Sequence, residues 1–288
     1  MNYYSANEFY KDMFDEKVYK IALNGGMTCP NRDGTLGTKG CIFCSQKGSG
    51  DFLASAITPI TIQIEQAAAL VKNKIKTEKY IAYFQSFTNT YAPLEHLKTI
   101  FYEAIVNNKI VALSIATRPD CLSNDIIKLL AELNKIKPVF VELGLQTIHE
   151  STAKYIRRGY ALPVFDDAVK RLKAININVI VHSILGLPNE NAEMMVETTR
   201  YIGGSGADGI KLQLLHVLKG TDLADEYAKR AFEVLTLDEY INILKRCINA
   251  LPPHIVVHRV TGDGPKELLI APKWSGNKKM VLNAIRNS

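Results

Sequence analysis

No stretch of this 288-residue chain reaches about 18 consecutive apolar residues, so the sequence predicts no membrane-spanning helix. The opening MNYYSANEFYKDMFDEK lacks a basic segment followed by an apolar one, so it does not read as a secretory signal. From both absences a cytoplasmic protein is expected. Internal repeats and low-complexity tracts are missing too. Charge of one sign is not concentrated: 35 Lys and Arg face 29 Asp and Glu, a net +6. That balance admits a polyanionic partner without requiring one. With 47% hydrophobic and 22% charged residues the chain can bury a sizeable core, and wholesale disorder is excluded. Cysteine is scarce and odd in number, at five. In a reducing compartment this count argues against a disulfide framework.

Three of the five cysteines share one segment, NGGMTCPNRDGTLGTKGCIFCSQ, with Cys29, Cys41 and Cys44 in a Cys-x11-Cys-x2-Cys spacing. Three thiolates can hold three irons of a cubane and leave the fourth open to a second cofactor. Glycines around them let backbone approach the sulfurs. Zinc is the competitor, but the loop holds no histidine, so a fourth ligand would have to come from far away in the chain. No second cysteine cluster exists, so an auxiliary iron–sulfur centre is not expected. Cys121 and Cys247 stand alone, and a lone cysteine is most often a small buried hydrophobe. Cys121 follows a strand and could face the pocket.

Short β-branched runs alternate with helical patterns. The runs are YKIAL (19–23), YIAYFQ (80–85), IVALSIAT (110–117), VFVELGLQ (139–146), NVIVHSIL (178–185) and GIKLQLLHV (209–217). Their continuous hydrophobicity suits strands covered on both faces. Helical spacing appears over 60–76, 92–108, 123–136, 163–176 and 191–206, with Ser123 or Asn124 as a cap and Pro163 in a first turn. This alternation predicts an α/β fold with a parallel sheet, as an open doubly wound sheet or a partial barrel. After about residue 220 the alternation weakens. DLADEYAKRAFEVL and TLDEYINILKRCINAL read as helices and HIVVHRV as a last strand. The expected organisation is a core over 1–225 and an extension over 226–288 that packs on or closes it.

In parallel α/β folds, sites form at the C-terminal strand ends. The cysteine loop starts at the first of these. The others carry Gln85 and Ser86, then Thr117 and Arg118, then Glu142 and Gln146, then His182 with Leu187 beyond it, then Lys211 and Gln213. Any one could be structural, as half of a salt bridge or as a satisfied core histidine. Together they point to one shared site.

Motifs at these positions resemble those of the radical S-adenosylmethionine (SAM) enzymes. Within them the chain resembles the YtqA/YhcC-like group, related to the elongator catalytic subunit and to oxygen-independent coproporphyrinogen oxidase. CPNRDGTLGTKGCIFC resembles the group's wide cluster loop, and YFQSFTNTYAP stands where a SAM-binding glycine motif often lies. ATRPD resembles an elongator ETRPD with Ala116 in place of the glutamate. VELGLQT with RRGY, and HSILGLP with His182 in place of an aspartate, resemble further elongator and oxidase segments.

The resemblance implies a partial (β/α)6 TIM-type barrel with a C-terminal extension. It implies a [4Fe–4S] cluster on Cys29, Cys41 and Cys44, with SAM bound at the strand-end residues, Gln146 among them, and at Arg158 of RRGY. An electron donor such as flavodoxin or ferredoxin would feed it. Elongator kinship points to wobble uridine of tRNA, for example conversion of a 5-carboxymethylaminomethyl to a 5-aminomethyl group. A small metabolite or tetrapyrrole is the alternative substrate, and a zinc-stabilised binding module the alternative class. Region 231–288 has eight Lys and Arg against five Asp and Glu, with Lys273, Trp274, Lys278 and Lys279 close together. Such a cluster can meet phosphates and a base, or be a solvated helix end around a packed tryptophan.

Overall fold

The computed structural model describes residues 1–48, 50, 53–72, 77–262 and 264–288. The end of the first expected helix, 73–76, and Asp263 of the tail lie outside these.

Helix α1 (Ala6–Phe14) precedes five strand–helix units and a sixth strand: β1 (Tyr19–Leu23) and α2 (Ile60–Lys72), β2 (Tyr80–Phe84) and α3 (Leu94–Ile105), β3 (Ile110–Thr117) and α4 (Asn124–Asn134), β4 (Val139–Gln146) with α5 (Glu150–Tyr155) and α6 (Leu162–Ala174), β5 (Asn178–Leu185) and α7 (Ala192–Gly204), and then β6 (Gly209–Leu214). Then follow β7 (Val217–Leu218), α8 (Asp222–Ala228), α9 (Leu237–Asn249), β8 (Val256–Arg259), β9 (Leu269–Ala271) and α10 (Lys278–Arg286). The main sheet is all parallel in the order β1-β2-β3-β4-β5-β6-β8, curled into a half-barrel. The last expected strand thus adds a seventh member beside β6.

Side-chain alternation along each strand divides the interior. Outward residues such as Leu23, Phe84, Leu113, Val141, Val181 and Leu212 meet Ile64, Phe101, Leu130, Phe165 and Leu244 of the helices in the main core. Inward residues form tiers. Ile81, Ala112, Phe140 and Ile180 make an apolar tier at the N-terminal end. One step up each strand lie Tyr83, Ser114, Glu142, His182 and Lys211. Above them a cavity opens.

Helix α1 closes the apolar end like a plug. Phe9 and Tyr10 set their rings edge-on to Phe140 at 6.2 and 5.7 Å. The Tyr4 carbonyl accepts from Val257 N at 2.8 Å, fixing the plug to β8. The helix begins at a capping box in which Ser5 and Glu8 satisfy each other's backbone N–H groups. Ser5-x-x-Glu8 is a helix-start signature visible in the sequence.

Two elements end earlier than their patterns suggest. The β6 pattern runs to Val217, but the strand stops at Leu214, opposite Leu185, where β5 ends and no partner remains. Val217 and Leu218 instead form a two-stranded antiparallel ribbon with β9. The helical pattern from Asp222 stops at Ala228, because Arg230 takes a left-handed φ of 58°. Replacing Ser5 with Ala removes one cap and is expected to lower urea-unfolding stability by about 1 kcal/mol. An unchanged midpoint would show that the plug does not depend on its cap.

Candidate cofactor site

The loop after β1 is held by hydrogen bonds at its exit. Gln63 of α2 is buried, its Nε2 donating to the carbonyls of Asn24 and Thr58 at 3.0 and 2.8 Å, while its Oε1 accepts from Asn24 N at 2.8 Å. Cys29 O accepts from the amides of Arg32 and Asp33, closing a turn. The Cys44 amide donates to Cys41 O at 3.0 Å, which brings the last two cysteines onto one turn. The Arg32 guanidinium ties that turn down through Cys44 O and Ser45 O at 3.1 and 2.7 Å. Between the two cysteines, Ile42 packs with Ile156, Ile184, Leu187 and Leu223, so the loop is anchored across β5 and α8.

Cys29, Cys41 and Cys44 are partly buried and line one cavity of about 540 Å³. The Cys44 S–H leans on Cys41, so the Cys41 thiol drops to about 7, while Cys44 is pushed well up. Asn31 Nδ2 lies 3.5 Å from Cys41 Sγ and donates to Arg157 O at 2.7 Å.

One wall is a stack. Arg118 and Arg158 both set their guanidinium groups over the Tyr160 ring, at 5.4 and 4.7 Å from its centroid. Arg118 is held bidentate by Asp120 at 2.9 and 2.7 Å, which keeps it charged against the cost of burial. Arg158 spends its donors on Thr147 O at 2.6 Å, Tyr160 O at 3.0 Å and, more distantly, Glu150. Gly159 sits between them at φ +83°, where a Cβ would meet Asn31 Oδ1 at 2.9 Å and Arg118 Nη2 at 3.1 Å. Only glycine lets the Arg158–Tyr160 turn approach the cysteine loop this closely.

The floor is an ion cluster around Glu142, which is 1% exposed. Oε1 accepts from Lys20 Nζ at 2.6 Å and Ser114 Oγ at 2.7 Å. Oε2 accepts from His182 Nε2 at 2.6 Å, Tyr83 OH at 3.0 Å and Lys211 Nζ. Burial would raise the Glu142 carboxyl, but Lys20, Lys211 and His182 hold it well below its usual value. Burial, and then Lys211, lower His182 to about 4. Burial lowers Lys211 to about 7, with Lys20 and Arg259 working the same way against Glu142. Lys20 stays above its usual value, because Glu142 outweighs burial there.

Of the residues expected to bind SAM, Gln85, Thr117, Arg118, Glu142, Gln146, Arg158, His182 and Gln213 line the cysteine cavity. Ser86 is buried behind the wall, Lys211 lies beneath the floor on Glu142, and Leu187 props Ile42. Arg259 and Lys20 belong to the site or its support and were not singled out in the sequence, whereas Tyr83 and Tyr160 stand within the YFQSFTNTYAP and RRGY motifs. A lysine inside an otherwise apolar strand, as in YKIAL, is the signal that could have found Lys20. Cys121 lines a separate hollow behind the loop, its thiol pushed up to about 12 by burial and then Asp120. Cys247 is in the core. Trp274 donates Nε1–H to Leu235 O at 3.0 Å and packs on Tyr240, so it is a packed tryptophan, while Lys273, Lys278 and Lys279 are exposed.

A curled parallel half-barrel with three cysteines facing the cavity at its strand ends defines a class, and sequence comparison agrees. Residues 29–202 match the radical SAM superfamily and residues 207–288 its C-terminal domain. The chain belongs to the radical SAM superfamily of enzymes, whose cofactors are a [4Fe–4S] cluster and SAM. It is similar to YtqA of Bacillus subtilis, at 45% identity over 98% of this chain and 88% of YtqA. It is also similar to YhcC of Escherichia coli K12, at 34% identity over 92% of this chain and 85% of that protein. In fold it resembles Elp3 of the archaeon Methanocaldococcus infernus, with a TM-score of 0.70 at 19% identity, covering 94% of this chain and 63% of that one. Membership sets aside the zinc-module reading.

The site fits those cofactors. Among the described residues, no three His, Cys, Asp or Glu side chains converge closely enough for a single ion. A cubane asks instead for one thiolate on each of three irons, which three cysteines around one cavity can supply. Gln146 sits at a break in the β4–β5 register with φ +69°, and its buried Oε1 has no protein donor. A buried acceptor left open at a strained position suits a ligand donor.

The floor gives a pH test. His182 stays neutral in the fold down to about 4, whereas the unfolded chain takes up that proton near 6.5. The unfolded state therefore binds more protons in this window, and stability falls with falling pH between those values. The group's share is about 3 kcal/mol at most. His182→Gln can still donate to Glu142 and is expected to flatten that part of the pH–stability curve. An unchanged slope would mean that His182 does not titrate this way.

Proposed function

We propose that Cys29, Cys41 and Cys44 hold a [4Fe–4S] cluster, that SAM binds across the strand ends, and that the enzyme acts on wobble uridine of tRNA, converting a 5-carboxymethylaminomethyl to a 5-aminomethyl group; the carboxymethyl carbons would leave as glyoxylate after two-electron oxidation of their CH2, with SAM as the oxidant, and hydrolysis of the C–N bond by water. The observation that carries the first two parts is the meeting of three thiols and an unsatisfied Gln146 Oε1 in one cavity. When bound, the cluster and SAM supply one-electron cleavage of the sulfonium and a carbon radical able to take a hydrogen atom.

The chain's own residues bind, orient and exclude water. Gln146 Oε1 accepts a donor from SAM. The Arg118–Tyr160–Arg158 stack fixes the wall beside the cysteine loop, because all three side chains are themselves held. Ile184, Leu215 and Leu218 give the cavity an apolar side, which keeps water from a reactive intermediate. The resemblance to elongator supports the tRNA reading, and so do the exposed Lys273, Lys278 and Lys279. This reading places the enzyme in the cytoplasm, with a flavodoxin- or ferredoxin-type electron donor.

Two measurements test it. Anaerobically purified protein is expected to hold about four irons, and Cys41→Ala to lose the cluster and SAM cleavage. A variant that still cleaves SAM would remove Cys41 from the ligand set. Nucleoside mass spectrometry of tRNA from a deletion strain should show the carboxymethylaminomethyl form accumulating. An unchanged wobble-uridine profile would overturn the tRNA assignment and favour a small-molecule substrate.

A further inference from the structure

The cavity floor carries more positive than negative side chains. Glu142 is already met by Lys20 and Lys211. Arg259 is a third cation, and it lines the cavity. A break in register between β6 and β8 puts it there: Gly209 and Ile210 pair with Val256 and Val257, but Lys211 pairs with Arg259. The extra residue lets both His258 and Arg259 face inward, His258 against Tyr10 and Arg259 toward the cavity. Two like charges thus sit at paired positions on neighbouring strands, an arrangement that costs stability unless an anion relieves it.

Glu142 meets Lys211, but no carboxylate among the described residues reaches Arg259. Arg259 forms no ion pair there, and its one hydrogen bond is a long one, Nη1 to Gln213 Oε1 at 3.4 Å. Arg118, by contrast, is held bidentate by Asp120, and Arg158 is engaged by two carbonyls and Glu150. Arg32, the fourth arginine of the lining, spends Nη2 on the Cys44 and Ser45 carbonyls. Among the described residues, Arg259 is therefore the cavity arginine that meets neither a carboxylate nor a backbone carbonyl, and a guanidinium fork matches a carboxylate.

We propose that Arg259, with Gln213 beside it, is the subsite for a carboxylate of the substrate. This rests on the tRNA reading above, in which the group removed ends in a carboxylate. It makes Arg259 a specificity-determining residue: the floor selects the carboxymethylaminomethyl group over forms without a carboxylate.

The reconstituted holoenzyme tests this by binding two tRNAs, one with 5-carboxymethylaminomethyluridine and one with 5-aminomethyluridine at the wobble position. Arg259→Gln is expected to weaken binding of the first by about tenfold or more, and to leave the second, and SAM itself, within about twofold. Arg259→Lys, which keeps the charge but not the fork, should fall between. Equal losses for both tRNAs, or no loss, overturn the subsite. A loss confined to SAM affinity overturns it too, assigning Arg259 to the SAM carboxylate. If the wild type neither binds nor converts either tRNA, the tRNA reading fails on its own. The charge argument is tested apart from tRNA by Gln213→Glu, which sets a carboxylate against Arg259. Its melting temperature in the cofactor-free chain should rise by about 2 °C or more. A fall would show that the floor has no excess positive charge to relieve.

Discussion

One buried carboxylate is shared by six consecutive strands. Glu142 stands on β4 and receives Lys20 from β1, Tyr83 from β2, Ser114 from β3, His182 from β5 and Lys211 from β6. Each donor comes from an inward position, so the side chains meet only if the sheet curls. An unpaired charge at that depth would cost several kcal/mol, whereas five donors on two oxygens satisfy it fully. The net stabilisation of such a cluster over an apolar replacement is small. Its effect is geometric: it ties the two ends of the curl to one centre.

The rest of the interior is arranged by height above that centre. Below it, apolar residues and the α1 plug fill the N-terminal end of the sheet's interior. Above it, the strands end in small or polar inward residues, Ala22, Ala116, Gly144, Gln146 and Gln213, and their modest size leaves the cavity open. The cysteine loop crosses that opening and is pinned by Ile42 on the far side. The ribbon of β7 and β9 covers another part of the rim. A charged, rigid floor under a cavity roofed by thiols is a setting in which a reactive species meets few stray donors.

Much of this was legible in the sequence. Strands covered on both faces leave uninterrupted runs, so IVALSIAT, VFVELGLQ and NVIVHSIL coincide with β3, β4 and β5. Glu142, His182 and Gln213 stood out because polar residues inside such runs need a reason. What stayed hidden depends on tertiary placement. Lys20 is on the first strand, and nothing local says that it reaches a carboxylate on the fourth. Arg259 faces inward only because of the β6–β8 register break, which no local pattern encodes. Tyr160 becomes part of the wall only when Gly159 lets the turn approach Asn31. Helix α1 was missed for a different reason: its capping box was present, but its inward face, Phe9 and Tyr10, is too short to read as periodic.

The central claim is that the cavity above Glu142 holds an iron–sulfur cluster through three thiolates, with one iron left to SAM. Mössbauer spectroscopy of anaerobically reconstituted, iron-57-enriched protein, before and after adding SAM, tests it most directly. The account predicts a [4Fe–4S] signal in which about a quarter of the iron, the site without a cysteine, shifts on SAM addition. A spectrum that SAM leaves unchanged would contradict it.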